Sequence, residues 1–148
     1  MNNMHTPYEV DMKTLGFYVE RLLYAMIKSQ ISMLKEEGSD LQHSEFIALK
    51  VLNALGSVSQ THLAQVLGKE RSGVGRTLAS LEAKGYIERE QLNGSTNTVK
   101  LTEKGKEIKP FLDRISAQLT NQAFRGLSDK QQNSVLSYLD KLYKNMQK

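Results

Sequence analysis

Residues 59–85, SQTHLAQVLGKERSGVGRTLASLEAKG, contain two short apolar periodicities separated by a glycine. The first follows Ser59, whose hydroxyl is able to accept a hydrogen bond from the unpaired amides of a helix's first turn. It ends at Gly68, because glycine tolerates the left-handed conformation that terminates helices. The second spaces its apolar residues along one helix face, at Val74, Leu78 and Leu81. The stretch therefore predicts two helices around a tight turn, the second ending at Gly85.

The opposite face of the second predicted helix is small and basic. It carries two cations, one hydroxyl and no bulky apolar group, in the residues Arg71, Ser72, Gly75, Arg76 and Ala79. Two helices around a tight turn, with such an outer face on the second, have the geometry that sets a helix into the DNA major groove. An ordinary helical hairpin on a globular domain is the alternative interpretation of this stretch taken alone.

Two extended runs follow, on either side of Asn93-Gly94. Asn-Gly is the strongest short-range hairpin signal, because both residues accept positive φ. A two-residue loop would place Ile87 opposite Lys100, whereas a three-residue loop places it opposite Leu101 and collects the apolar residues on one face. We therefore expect a three-residue loop with a bulge. Helix, turn, helix and hairpin in this order predict a winged helix-turn-helix.

The run from Leu63 to Gly105, with its RTLASLEAKGYIERE and KLTEKG segments, resembles the MarR family of bacterial transcription regulators. The flanks match as well, so the resemblance covers essentially the whole chain, as one domain over residues 1–148. It implies a mainly α fold with a small β wing. The winged helix-turn-helix would occupy residues 44–102, with dimerisation helices in residues 11–37 and 103–148.

The helix patterns outside the winged helix-turn-helix have their own start and stop signals. A long helix is expected from about Asp11 to Glu37, and a second from its cap at Ser44 to Leu55. After the wing, Thr102 is expected to cap a helix that runs to about Gly126 and bends at the proline it contains, Pro110. A capping box of Ser128 and Gln131 opens the last helix.

The first and last helices carry more apolar surface than one small domain can cover. The first has two apolar stripes, and a helix that is apolar on both sides must be buried on both sides. The last has an apolar seam at three- and four-residue spacing, from Val135 to Met146. Together they predict a two-fold homodimer in which terminal helices of both subunits interdigitate, as the resemblance also implies.

Composition excludes several classes of function. The chain has 148 residues, a net charge of +4 and no cysteine, which excludes disulfides, thiolate metal sites and cysteine-based oxidation sensing. It has neither an apolar run of about 20 residues nor a signal peptide, so we expect a cytoplasmic protein with no membrane segment.

Residues 57–105 contain seven Lys or Arg and five Asp or Glu. The basic charge is therefore not concentrated in the winged helix.

Signatures of enzymes, cofactors and metals are absent from the sequence. There is no nucleophile elbow, phosphate-binding glycine loop or HExxH zinc helix. The glycine-rich run of residues 72–75 follows a predicted helix and not a strand, which excludes a dinucleotide-binding turn. The three histidines, His5, His43 and His62, lack metal-ligand spacing. We expect neither catalysis nor a cofactor nor a metal.

The candidate DNA contacts lie on the two motif helices and the wing. Arg76 is placed for a base edge or a phosphate, and the amides at the start of the first motif helix for a phosphate. The full set is Gln60, Thr61, Lys69, Arg71, Ser72, Gly73, Gly75, Arg76, Thr77, Arg89, Asn93, Ser95 and Asn97.

The two glycines of the second motif helix have two explanations. Glycine inside a helix costs about 1 kcal/mol relative to alanine. Small residues would let the helix backbone approach the groove floor and phosphates closely. Alternatively, Gly73 relieves crowding against a neighbouring helix, or the first turn is frayed. The sequence leaves these open.

The wing departs from the pattern of the family it resembles. Many MarR proteins carry an Asp-x-Arg segment at the tip, whose arginine reaches into the minor groove. Here residues 92–97, LNGSTN, carry no charge, and only Arg89 and Lys100 supply positive charge nearby. Losing a phosphate-neutralising cation lowers both affinity and its salt dependence. We therefore expect the second motif helix to be the main carrier of DNA binding.

The resemblance further implies a small aromatic or amphipathic effector, bound where the dimerisation helices meet the winged domain. The candidate lining residues are Tyr18, Arg21, Tyr24, His43 and Phe46, since a ligand cleft needs apolar walls and a few polar groups. Residues in such stripes are more often plain core.

The function implied is that of a homodimeric repressor which binds a pseudo-palindromic double-stranded operator and loses affinity when the effector binds. The alternative is a small-molecule-binding or protein-interaction module that uses the same fold with weak or no DNA binding.

Overall fold

The structure is a computed structural model that describes residues 13–92 and 96–147. Within these ranges it is mainly α-helical with one small antiparallel sheet, which confirms the predicted fold class. The elements in chain order are α1 (Leu15–Glu36), α2 (His43–Leu55), β1 (Val58–Ser59), α3 (Gln60–Leu67), α4 (Arg71–Ala83), β2 (Ile87–Leu92), β3 (Thr96–Leu101), α5 (Glu103–Glu107), α6 (Lys109–Ala123) and α7 (Asp129–Asn145).

Helices α3 and α4 form the predicted pair around a tight turn. The Ser59 hydroxyl accepts a hydrogen bond from the His62 amide at 3.0 Å and so caps α3. Gly68 ends α3 with a φ of 64°, in the left-handed region that favours glycine. The apolar stripe of α4 is buried at all three predicted positions, Val74, Leu78 and Leu81.

The three strands pair in the order β1-β3-β2. Ile87 lies opposite Leu101 and Arg89 opposite Val99, which is the register predicted for a three-residue loop. Ile87 and Val99 consequently face the core together and are almost fully buried. The loop residues 93–95, including the candidate contacts Asn93 and Ser95, lie outside the described residues.

Two predicted helix starts differ from the structure. Helix α2 begins at His43 and not after Ser44, because the Gln42 amide donates to the Glu45 carboxylate at 3.0 Å and the N-terminal cap falls at Gln42. Helix α1 begins at Leu15, where Thr14 caps it, and not at about residue 11.

The predicted bent helix after the wing is two helices. Thr102 caps α5 as predicted, by accepting from the Gly105 amide at 3.2 Å, but α5 ends at Glu107. Pro110 lies in the first turn of α6, where its missing N–H is not needed. The proline therefore starts a new helix instead of bending one. The Ser128 and Gln131 capping box of α7 is confirmed.

The core is centred on α2, α3, α4, the sheet and α6. Its fully buried side chains include Phe46, Leu49, Leu63, Leu112 and Ile115. Helix α1 contributes one fully buried apolar residue, Leu34, and α7 has no buried residue. Many apolar residues of α1 and of the C-terminal segment instead remain about half exposed or more, as in Leu15, Leu22, Tyr24, Leu136, Tyr138 and Met146.

Helix α5 packs tightly against the start of β2. A Cβ built on Gly105 would lie 2.1 Å from the carbonyl oxygen of Tyr86, which is backbone and cannot rotate away. That carbonyl also accepts a hydrogen bond from the Thr102 amide at 3.1 Å. Residue 105 must therefore be glycine for α5 to stay against the sheet.

A buried carboxylate joins α2 to α4. Glu45 is 1% exposed and lies 2.7 Å from the Lys84 ammonium, and its other oxygen accepts from the Ser80 hydroxyl. Lys84 also donates to the Asp40 carbonyl. Burial alone would raise the pKa of Glu45, but the hydrogen bonds from Lys84, Ser80 and the Gln42 amide together hold the pKa below its ordinary value of 4.5.

We expect Gly105→Ala to lower the free energy of unfolding by about 1–3 kcal/mol, because the added methyl overpacks a backbone contact. The matched control is Gly73→Ala, where a Cβ would meet only Arg76 at 3.7 Å. That variant should be more stable by about 0.5–1 kcal/mol, the helical preference for alanine over glycine. Urea unfolding at one protein concentration measures both, and equal effects would contradict the packing difference.

Glu45→Gln should lower the free energy of unfolding at pH 7 by about 1.5–3 kcal/mol, since it weakens hydrogen bonds to a charged group. The folded pKa of Glu45 is depressed, so its contribution is fully present above pH 4.5 and is lost as the pH falls through the folded pKa. Denaturant titrations from pH 7 downward should show the difference from wild type shrinking below pH 4.5.

The control for that series is Glu90→Gln, a carboxylate whose side chain is 56% exposed. It should change the free energy of unfolding little at any pH in the series. A constant difference between Glu45→Gln and wild type across the series would show that the charge of Glu45 is not what stabilises the α2–α4 contact.

Candidate nucleic-acid interface

The outer face of α4 combines unpaired cations with small residues. Arg71, Ser72 and Arg76 are exposed, while the side opposite them is buried in the core. Among the described residues, neither arginine has an ion-pair partner. The Thr77 hydroxyl donates to the Gly73 carbonyl at 3.2 Å, so the helix backbone already satisfies it. The arginines are therefore the charged groups that this face offers to an anion.

The two glycines of α4 have different surroundings. A Cβ on Gly75 would lie 3.1 Å from the side-chain amide nitrogen of Gln60 on α3, a distance shorter than an ordinary van der Waals contact. A Cβ on Gly73 would meet only the Arg76 guanidinium at 3.7 Å, on its own helix. The crowding between helices is therefore at Gly75, and not at Gly73 as one alternative had it. Because Gly73 has no side chain, the backbone of α4 is more accessible at this position of the outer face.

The start of α3 is less open than its sequence position indicates. Gln60 and Thr61 are half-buried, and the Gln60 side-chain oxygen is enclosed without a hydrogen-bond partner among the described residues. Gln60 thus serves the packing of α3 against α4. Lys69, in the turn that follows α3, is exposed and keeps its ammonium free of any described ion pair.

A polar cleft of about 300 Å³ runs beside α4. Gly73, Arg76 and Thr77 line one wall, and Gln42 and Ser44 at the start of α2 line the other. Sequence reasoning did not connect the α2 residues with this face. No local signal could have done so, because only the packing of α2 on α4 brings them together.

The cations of the wing have partners nearby. The Arg89 guanidinium lies 3.1 Å from the Glu82 carboxylate, which also accepts the Arg89 amide at 3.2 Å. The side-chain hydrogen bond from Arg89 holds the pKa of Glu82 below its usual value. Lys100 lies 3.3 Å from Glu90 and 3.9 Å from Glu88. Arg89 is therefore occupied within the fold, whereas Asn97 is exposed on β3.

The candidate ligand residues do not line one cavity in the single subunit. Tyr18 and Arg21 share a shallow depression with Leu22 and Ala25 on α1. Tyr24 is 69% exposed, and Phe46 is 1% exposed within the core. Phe46 therefore serves the core, which was the plainer explanation for it.

His43 lies apart from that depression, at the start of α2. Its Nδ1 is 2.5 Å from the side-chain oxygen of Gln30, a buried residue of α1. Burial, and then the charge of Lys69, lower the pKa of His43 below its ordinary value. His43 thus joins the start of α2 to α1 through Gln30.

Residues 13–92 and 96–147 contain neither a metal-binding cluster nor a membrane-spanning helix. Within them, no three His, Asp or Glu side chains are grouped closely enough to hold a metal ion. None of the helices in these ranges combines the length and apolar character that a membrane crossing requires.

Comparison with known sequences agrees with this geometry. A family model described as the MarR family matches residues 39–94, the segment from the start of α2 to the wing. The uncharacterized HTH-type transcriptional regulator YybA of Bacillus subtilis is 23% identical over 128 residues, which cover 85% of each chain.

Solved structures share the fold over most of their length. A MarR family transcriptional regulator from Listeria monocytogenes, complexed with a 26mer DNA, superposes with a TM-score of 0.80 at 24% identity, covering 91% of this chain and 90% of that one. BpsR of Bordetella bronchiseptica, whose DNA binding is regulated by 6-hydroxynicotinic acid, gives 0.79 at 17% identity, covering 90% and 96%. The matched family model and the regulator relatives agree with the fold, and this chain is similar to regulators of the MarR family.

Proposed function

We propose that the chain is a DNA-binding repressor whose α4 helix enters the major groove. The observation that carries this proposal is the asymmetry of α4: Leu78 and Leu81 are fully buried on one side, while Arg71 and Arg76 are exposed and unpaired on the other. A helix fixed by its inner face and basic on its outer face suits recognition of base edges and phosphates. The DNA complex of the Listeria relative supports this assignment.

The active species would be a homodimer formed through residues 11–37 and 103–148, with residues 44–102 as the DNA-reading part. The support is the apolar surface left uncovered on α1 and α7, where Leu15, Tyr138 and Met146 are between 58% and 81% exposed. Burying such surfaces is the main favourable term in association. Two-fold symmetry then implies a pseudo-palindromic operator with half-sites about one helical turn apart.

Regulation would follow from an effector that binds one dimer conformation better than another and so lowers operator affinity. BpsR, with its regulation by 6-hydroxynicotinic acid, supports a small aromatic effector. The depression that contains Tyr18 and Arg21 is the part of the candidate site that a partner subunit would enclose. In this scheme the protein is cytoplasmic and acts without catalysis.

The paired charges of the wing favour a second candidate function. Because Arg89 and Lys100 are engaged by carboxylates, the wing adds little net positive charge to the interface. A protein-interaction or small-molecule-binding module with this fold would bind DNA weakly and with little salt dependence. Selection of binding sites from a random duplex pool, followed by titration at several salt concentrations, separates the two. A palindromic consensus with steep salt dependence supports the repressor.

Arg76→Ala should bring affinity for the selected operator close to that for random duplex, since one base contact of this kind is worth about 1–3 kcal/mol in each half-site. The control is Lys35→Ala, which removes an exposed cation from the last turn of α1. Light scattering should show an intact dimer for both variants. Unchanged operator affinity in Arg76→Ala would overturn the docking of α4.

Asn97→Arg should restore a wing contact. The new cation on exposed β3 would neutralise a phosphate, so the slope of log affinity against log salt should steepen by about 0.9 for each wing. Asn97→Gln, which lengthens the side chain without adding charge, is the control and should leave the slope unchanged. If the arginine variant also leaves it unchanged, the wing lies away from the DNA backbone.

A further inference from the structure

The far end of α7 lies against the turn between α3 and α4. A Cβ built on Gly68 would be 3.0 Å from the Tyr143 hydroxyl oxygen, and 3.6 and 3.7 Å from two ring carbons. A side chain at residue 68 would therefore crowd the hydroxyl end of Tyr143. Gly68 also has a φ of 64°, in the left-handed region that favours glycine.

This contact is notable for the helix that makes it. Helix α7 has no buried residue, and Tyr143 itself is 47% exposed. Its neighbours along the apolar seam, Leu139 and Leu142, are also more than one-third exposed in the single subunit. The position of α7 is thus set by whatever covers this seam, which in the proposed function is the second subunit.

The turn that Tyr143 contacts is stiff. The Gly68 amide donates to the Gln65 carbonyl at 3.1 Å, and the Lys69 amide donates to the Ala64 carbonyl at 3.0 Å. Leu63 and Ala64, one turn earlier, are buried in the core. Close-packed interiors transmit displacement instead of absorbing it. A shift of the turn would therefore move α3 and the adjoining α4 together.

We infer that Tyr143 is a positioning residue for DNA binding: its ring and hydroxyl rest on Gly68 and fix the α3–α4 unit relative to the C-terminal helix. The inference rests on the proposed function, since it assigns a role in placing α4 on the operator. If Tyr143 has this role, the position of α7 in the dimer affects operator affinity. It does so through a residue that does not contact DNA.

Two substitutions test the contact by steps. Tyr143→Ala removes ring and hydroxyl, and Tyr143→Phe removes only the hydroxyl that lies nearest Gly68. Asn145→Ala is the matched control, because Asn145 is an exposed, uncharged residue at the same end of α7 and is absent from the contacts of Gly68. Operator affinity should fall about tenfold or more in Tyr143→Ala, in the usual range of coupling between sites, and less in Tyr143→Phe.

Affinity for random duplex distinguishes positioning from a loss of folding or of dimers. No charge is changed, so Tyr143→Ala should keep the random-duplex affinity and salt slope of wild type while losing operator affinity. Operator affinity equal to wild type in Tyr143→Ala would overturn the inference, as would a parallel loss of both affinities. If wild type itself selects no operator, the proposed function fails instead.

A cross-link tests the contact without relying on affinity. The chain has no cysteine, so Tyr143→Cys provides a single thiol for a benzophenone maleimide label. After illumination, mass spectrometry should find the label joined to the peptide that contains residues 60–71. Labelling confined to other peptides would overturn the inference, whatever the substituted proteins do with DNA.

Discussion

The arrangement of the proposed interface depends on the buried carboxylate of Glu45. An ionised group in the core is tolerated only where donors replace its water, and here Lys84, Ser80 and the Gln42 amide do so. Two of these donors lie at the end of α4 and one at the start of α2. The donors meet the same carboxylate only when α4 is set against α2 at one angle and one rotation. The apolar stripe of α4 would by itself allow α4 to slide along α2. The ion pair between Glu45 and Lys84 therefore sets the direction in which the outer face of α4 points.

The cations of the proposed interface differ in whether they have an ion-pair partner. Arg71, Arg76 and Lys69 are exposed without a described ion-pair partner, whereas the wing cations Arg89 and Lys100 are paired with carboxylates. Neutralisation of phosphates by free cations dominates the salt-dependent part of DNA affinity. In the proposed function, that part would therefore come from the region of α3 and α4. The ion pair of Arg89 also attaches β2 to α4, because the Glu82 carboxylate accepts hydrogen bonds from both the backbone and the side chain of Arg89.

Features governed by neighbouring residues could be predicted from the sequence. The Ser59 cap, the Gly68 stop and the register of Ile87 opposite Leu101 each follow from local backbone preferences or the period of a strand. Features that depend on which helices and strands pack together could not be predicted from the sequence. The cleft that Gln42 and Ser44 share with α4 and the pairing of Arg89 with Glu82 fall in this class. The separation of α5 from α6 is intermediate, because Pro110 was correctly singled out but its place in a helix's first turn is equally allowed.

The terminal helices show what a single subunit leaves incomplete. Helices α1 and α7 expose apolar side chains in the single subunit, and in the proposed homodimer the partner subunit would cover them. Yet these helices are connected to the winged helix-turn-helix, α1 through the hydrogen bond between Gln30 and His43 and α7 through Tyr143 against Gly68. The second connection ends at the α3–α4 turn. A rearrangement of the subunit interface would therefore reach α4 through packed side chains, and a chain without cysteine retains a physical route by which binding between subunits alters binding to DNA.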